Sequence, residues 1–403
     1  MRTRRRILVH DDVLPENGFL KMAGDSLLKR TFWIRWSAIA LLVCTGCWVC
    51  VAASDAQDFE KPLSTIDEDI TAFAFSPDGR IVYAVNRPFK TKQYDLEHDD
   101  VWIQEAGGKR RRIFIGEKFQ RGAAPFTYSV NSFRWSPNGH LILAELFTTS
   151  VDESGKTTDS AMTLVLDESG KEVKMGEDNV IKDASKPTWL QDNATVIYFT
   201  EALKPKVLFS FRYSNRAGAP GLVFEGRTFL DAAPVPGSNT DYAVERDKNL
   251  SGPPRLQKLE MLAQDDKEIA TLESFEGGLA LSPSCTKIAY YIDKEVIEVR
   301  DLTTPNKFAR VRAGLGVFRW APDETRLLLK RSVEKKSGDL VWIAIPLLAE
   351  HREDTTNIDV AQPTPVPILR GLTFREFAIS PDGKLIGVIA PGRRNLAVYP
   401  LPR

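Results

Sequence analysis

Cysteine is scarce where a fold could use it. Of the four in 403 residues, Cys44, Cys47 and Cys50 share one apolar segment, and Cys285 stands alone in the remainder. A disulfide within the globular part is excluded, and the scattered His10, His98, His140 and His351 offer no Cys/His metal set. The Cys44-x-x-Cys47-x-x-Cys50 spacing copies a metal motif on paper, but in an apolar run with no histidine beside it the spacing reads as chance. No Gly-x-Ser-x-Gly elbow occurs, so a Ser-His-Asp hydrolase is excluded by motif. Net charge is also missing, at zero overall. Residues 1–53 carry eight basic and four acidic residues, leaving 46 basic and 50 acidic for the rest. That weakly acidic remainder, whose longest basic run is Lys109–Arg112, argues against a nucleic-acid footprint; the run reads as a solvated edge strand. Hydrophobic residues make up 43%, ordinary for a packed core, so global disorder is excluded.

The apolar segment Ser37–Ala53 follows Arg30 and Arg35 and leads into the small residues Ala52, Ala53 and Ser54. A positive flank, an apolar run and small residues, in that order, are the marks of export. Three outcomes stay open: a cleaved signal, an uncleaved amino-terminal anchor, or a lipoprotein attached at Cys47. A start at Met22 would shorten the charged region to a more usual length. In each case residues 1–56 are targeting or anchoring sequence and residues 57–403 are expected in the periplasm or outside the cell.

The stretch Phe73–Gly116 reads as four short strands, Thr71–Phe75, Arg80–Val85, Val101–Gln104 and Arg111–Ile115. Ser76-Pro77-Asp78-Gly79 turns the first into the second, and Gly107-Gly108 the third into the fourth. The first turn recurs as Ser136–Gly139, Ser282–Cys285, Ala321–Glu324 and Ser380–Gly383, with weaker copies at Leu190–Asn193 and Val235–Ser238. Successive copies lie 39 to 60 residues apart. Before each clear turn apolar residues alternate, as in Phe133 and Trp135 or Phe318 and Trp320. After it comes a strand apolar on both faces, such as Ile288–Tyr291 or Leu385–Ile389, which belongs between two neighbouring sheets. This is the pattern of an all-β, seven-bladed β-propeller of four-stranded antiparallel blades, preceded by an amino-terminal hydrophobic helix. The last unit stops one strand short, and Lys61–Ile66 is placed to supply it, which would close the ends and remove two edges. Residues 57–403 are then one domain.

The order aromatic-Ser-Pro-Asp-Gly-basic, then Asp100-Val-Trp-Ile103, then Gly107-Gly108, resembles the WD-like repeat of TolB-type propellers. Ser380–Gly383 and Ser136–Gly139 are the next nearest copies. The resemblance implies a propeller and no particular activity. TolB-type proteins carry a separate α/β domain before the propeller, whereas here only Gln57–Ile70 stands in that place, so the chain looks like a lone propeller.

Chemistry-bearing residues are few. Ser154-Gly155-Lys156-Thr157 resembles the end of a phosphate-binding loop, but residue 150 is Ser where glycine is required, so it reads as a polar hairpin tip. Glu145, Glu201, Glu245 and Asp293 stand at strand ends where some propellers gather carboxylates around calcium; rim residues or arginine partners are the plainer reading. Arg134 and Arg319 occupy equivalent places in two Phe-Arg-Trp triplets, facing away from the aromatics, and read as internal ion pairs or as channel contacts to a ligand. Two segments, Arg87–Asp100 and Leu348–Pro367, lengthen the repeat and read as long loops where a partner could be met. No catalytic, cofactor-binding or metal-binding residue and no cofactor is expected. The expected role is a non-catalytic platform for an envelope protein or glycan, without nucleic acid. The alternatives are a metal-assisted lactonase or lyase and a membrane-tethered sensor.

Overall fold

The computed structural model describes Arg5–Arg6 and residues 61–401, except 91–93, 120–125, 153, 177–179, 204–207, 216–217, 219, 315, 335–336, 352–357, 373–375 and 391–393. The apolar segment Ser37–Ala53, with the expected helix, lies outside them. Among the described residues the one helical turn is Gly116–Lys118, and no helix is long and apolar enough to cross a membrane.

Everything else regular is strand, arranged as four-stranded antiparallel meanders in chain order. The first sheet holds Ile70–Phe75, Ile81–Lys90, Tyr94–Gln104 and Arg110–Phe114. The second holds Phe126–Trp135, Leu141–Val151, Thr157–Asp167 and Val180–Lys182. Next come Ser185–Trp189, Thr195–Leu203, Leu208–Asn215 and Gly221–Val223, then Phe229–Pro234, Thr240–Glu245, Arg255–Glu260 and Asp265–Thr271. The pair Phe209–Phe229 joins these two into one eight-stranded run. The fifth contains Gly277–Leu281, Lys287–Tyr291, Val296–Asp301 and Lys307–Arg312. The sixth contains Phe318–Trp320, Arg326–Glu334, Ser337–Ala344 and Val366–Leu372. The last is Glu376–Ile379, Leu385–Ile389 and Leu396–Pro400, completed by Ser64–Ile66. Ser64 pairs with Val398 and Ile66 with Leu396, so the amino-terminal strand supplies the missing edge. Arg5–Arg6 lies parallel to Tyr94–Asp95.

Each turn from an inner strand to its neighbour carries one hydrogen-bond signature. The fourth residue donates its amide to the carbonyl of the first, as in Gly79 to Ser76, Asn193 to Leu190, Ser238 to Val235 and Glu324 to Ala321. The left-handed fourth position favours glycine (Gly79, φ +84°), though Asn193, Cys285 and Glu324 adopt the same region at φ 54° to 57°. The turns are also stitched to one another. The Asn138 amide donates to Asn193 Oδ1 at 2.9 Å, and the Gln191 amide to Asn239 Oδ1 at 3.1 Å. Arg80 reaches the Gly139 carbonyl at 2.9 Å.

The core is divided into clusters, each between two sheets adjacent in the chain. Val82 and Ile103 of the first sheet meet Phe133, Ile142 and Leu166 of the second. Leu328 and Trp342 of the sixth meet Ile386 and Val388 of the last. One cluster joins the ends of the chain: Phe73, Tyr83 and Val85 pack with Ile66, Ile389 and Val398. A second strand buried by a neighbour on each face must be apolar on both, which is why these strands lack alternation. Sheets packed face to face in sequence, with the last against the first, make a fold of the β-propeller type.

Two expected loops are strand instead. Ile81–Lys90 and Tyr94–Gln104 stay paired out to Lys90 and Asp95, so Arg87–Asp100 is mostly the upper part of a long hairpin. Proline at 88 conceals this in the sequence. Its partner Glu97 turns its amide to Thr127 Oγ1 at 3.2 Å rather than to the ladder, so no bond is lost at Pro88. Leu348–Pro367 is partly a strap. Ala349–Glu350 pairs antiparallel with Lys307–Phe308, and Val360–Ala361 runs parallel to Arg310–Val311. His351 stacks on Phe308 with centroids 4.3 Å apart. The insertion thereby covers the outer edge of the fifth sheet.

Candidate functional site

The inner strands repeat one register. The last residue of each pairs with the first deeply buried residue of the next strand: Phe75 with Ile81, Trp135 with Ile142, Trp189 with Val196, Leu281 with Ile288, Trp320 with Leu327 and Ile379 with Ile386. The fourth sheet breaks this rule. There Pro234 pairs with Asp241, placing a carboxylate where the other sheets have Ile, Val or Leu. One position back on the inner strands the residues are Ala74, Thr188, Ala233, Ala280 and Ala378, except for Arg134 and Arg319. Two long cations therefore stand at positions that are otherwise small.

Two of these exceptions, Arg134 and Asp241, converge. Arg134, Lys186, Thr188, Tyr198 and Asp241 line a narrow recess of about 30 Å³, partly open to solvent and backed by Phe199 and Phe211. Asp241 is 3% exposed, and no hydrogen-bond donor reaches its carboxylate among the described residues. Burial pushes it up to about 7, with Arg134 the charge that pulls it back. Arg134 is open to water yet closely surrounded by protein. Loss of hydration pushes its guanidinium below its ordinary range, opposed by Glu145 and Asp241. Among the described residues no acceptor lies within hydrogen-bond reach of that guanidinium. Arg319 bonds its own neighbour's Phe318 carbonyl at 3.0 Å and lies over the Phe377 ring. Burial depresses it too; Glu376 opposes the shift and Arg134 adds to it.

The other charges around the recess are satisfied. Glu145 accepts from Ser132 Oγ at 2.7 Å and from the Lys186 amide at 3.3 Å. Lys186 forms an ion pair with Asp231, which also accepts the Leu279 amide at 3.2 Å. Glu245 is held by Arg227 at 2.8 Å and Arg255 at 3.3 Å, a structural pairing. Asp293 accepts the Val296 amide at 2.7 Å in a turn. The Glu201 side chain lies outside the described residues. Of the four carboxylates singled out in the sequence, Glu145 alone is shown beside the recess. Lys186 and Asp241 carry the site with Arg134, and neither stands out by type. The legible signal for Asp241 is an acid inside an otherwise apolar second strand, Thr240-Asp-Tyr-Ala-Val-Glu245.

The remaining motifs have structural roles. Ser154–Thr157 is the hairpin tip expected, with Asp152 Oδ1 accepting the Lys156 amide at 2.9 Å. In the basic run, Arg110 bonds the Thr65 carbonyl at 2.9 Å, Arg111 pairs with Glu105 at 3.1 Å and Arg112 with Asp100 at 3.1 Å. The base of the long hairpin is pinned in the core. Asp99, fully buried, accepts from Thr71 Oγ1 at 2.6 Å and the Val130 amide at 2.7 Å. His98, 2% exposed, has Nδ1 2.9 Å from the Gly116 carbonyl and Nε2 2.7 Å from that of Phe126.

No protein-family model matches the chain, and no curated protein matches it. Among solved structures, one similar chain belongs to a mitotic checkpoint complex, at 12% identity and a TM-score of 0.49, covering 92% of this chain and 99% of that one. Another is TolB from Acinetobacter baumannii, at 9% identity and a TM-score of 0.37, covering 69% and 80%. At such scores the propeller reading rests on the pairing and the core clusters.

Proposed function

We propose that residues 57–403 form a lone seven-bladed β-propeller of TolB-like type that acts outside the cytoplasm as a non-catalytic binding platform. Its partner is an envelope protein or a glycan. The observation that carries this reading is the braced hairpin of the first sheet. A two-stranded ribbon reaching beyond its sheet is marginal by itself. Here its base is held by Asp99 and His98 in the core, while Lys90 at its end is exposed. Holding the two strands that end at Lys90 and begin at Tyr94 in advance lowers the ordering cost of binding, which is what a recognition element needs. The basic flank and apolar run ending at Ala53 support export.

The test replaces residues 90–95 with a two-residue turn, leaving Leu96, His98 and Asp99 in place. Affinity capture from envelope extracts is expected to recover a partner with the full chain and to lose it with the trimmed one, at equal melting temperature. Equal recovery by both would overturn the role of the hairpin. Intact mass of the mature protein decides between a cleaved signal and a retained anchor. The buried Asp241 beside a recess favours one second reading, an enzyme of the lactonase or lyase kind. A metal ion co-purifying with an activity, both lost to chelator, would support it.

A further inference from the structure

We propose that the recess between Arg134 and Asp241 binds the head group of an α-amino acid or the carboxyl end of a peptide, that is, a carboxylate with an N–H beside it. This deepens the platform reading by naming the chemistry of one contact, and it rests on the inner strands facing a shared central space. Asp241 is unpartnered and buried, and Arg134 beside it holds its donors open to water. Arg134 presents a fork of N–H donors with no acceptor among the described residues, and Asp241 is a buried carboxylate with no donor. They are near enough to feel each other's charge, yet no ion pair joins them. Asp241 lies where the other sheets have Ile, Val or Leu, and Arg134 where they have Ala or Thr, with Arg319 as its one counterpart, so packing of the repeat does not call for the pair. A buried carboxylate without a donor is costly, and a ligand carrying an acceptor and a donor on adjacent atoms would satisfy Asp241 while taking the place of water on the Arg134 fork.

The surrounding charges narrow the ligand. Glu145 and Asp231 already accept hydrogen bonds, and Lys186 is committed to Asp231. A dianionic phosphate would face Glu145, Asp231 and Asp241 together and be repelled. A simple ammonium would leave the Arg134 fork unmet. A carboxylate matches that fork with two parallel bonds, and its neighbouring N–H reaches Asp241. Phe199 and Phe211 back the recess.

The experiment is titration calorimetry of the full chain with glycine, L-alanine, Ala-Ala, acetate, ethylammonium and alaninamide. Glycine, L-alanine or Ala-Ala is expected to bind with a Kd of about 1 mM or tighter, and the other three about tenfold more weakly. Binding of glycine and L-alanine without Ala-Ala assigns a free amino acid; the reverse assigns a peptide end. R134Q should weaken binding about tenfold, and R134K, which keeps the charge but loses the fork, by a comparable factor. D241N should remove the preference for glycine over acetate. Acetate binding as tightly as glycine, no heat from any amino acid or Ala-Ala, or R134K binding like the wild type would each overturn the proposal. The hairpin capture assay is independent, so failure here leaves the platform reading standing, and the converse holds.

Discussion

The Val130 amide donates a 2.7 Å hydrogen bond to the buried carboxylate of Asp99, tying the inner strand of the second sheet to the third strand of the first. Thr71 Oγ1 donates to the same oxygen at 2.6 Å, and Tyr128 Oη to the Asp99 carbonyl at 2.7 Å. One residue thus fastens two inner strands and the long hairpin. In Asp99→Ala the Thr71 hydroxyl and the Val130 amide lose their acceptor inside the core. The expected loss is about 3 kcal/mol in urea unfolding. Asp99→Asn keeps an acceptor oxygen and should lose less. A loss below about 0.5 kcal/mol for the alanine variant would show that the bonds are dispensable.

The same burial makes stability depend on pH. Desolvation raises Asp99 to about 6 and Asp241 to about 7, against 3.8 in an unfolded chain. Between those values the folded state holds more protons than the unfolded one, so stability falls as pH rises. The contribution is fully present below about pH 4 and gone above the folded values. For Asp99 the change is on the order of 3 kcal/mol across that window. Melting temperature measured from pH 4 to pH 8 should therefore carry a falling component that Asp99→Asn and Asp241→Asn each reduce. A variant as steep as the wild type would show that its carboxyl is ionised throughout.

The contact between the last sheet and the first has a position with no spare room. A Cβ on Gly387 would strike the ring of Phe73, which is 3% exposed in the cluster joining the two sheets. Gly387→Ala should cost about 2 kcal/mol through overpacking. Phe73→Leu opens space opposite, so the double variant should recover part of that loss, a coupling of about 1 kcal/mol. Strict additivity in the thermal melts would mean that the two residues do not touch.

Much of this architecture was legible because it rests on short-range chemistry repeated many times. Ser76–Gly79 and its copies specify turns through residues that suit the backbone locally, and even Leu190–Asn193, lacking proline and glycine, keeps the same bond because Asn193 tolerates a left-handed φ of 54°. The upper hairpin was not legible. Polar residues and Pro88 read as loop, and what holds it as strand is contact between Asp99, His98 and the next sheet, which no local pattern reports. The strap was hidden likewise, since Val360–Ala361 pairs with Arg310–Val311, about fifty residues away. Arg134, which lines the recess, and Arg319, which does not, were both visible through their matching triplets. Asp241 shows in the sequence as an acid inside a second strand, but its place opposite Arg134 emerges only when the sheets are aligned by pairing.

Closure by the amino-terminal strand gives the sharpest remaining test. Ile66 ends a strand of three residues, yet it is fully buried among Ile70, Ile389 and Leu396. Its backbone completes the last sheet, and its side chain fills the core between that sheet and the first. Ile66→Ala removes the side chain and leaves the pairing, so a cavity cost of about 2 to 4 kcal/mol is expected. Deleting residues 61–66 removes both and bares the edge of Leu396–Pro400, a template for pairing with another chain. The deletion should therefore melt lower than the substitution and self-associate in light scattering, while the substitution stays as monodisperse as the wild type. If the deletion of residues 61–66 melts like the wild type, the strand is an ornament on a fold that closes without it.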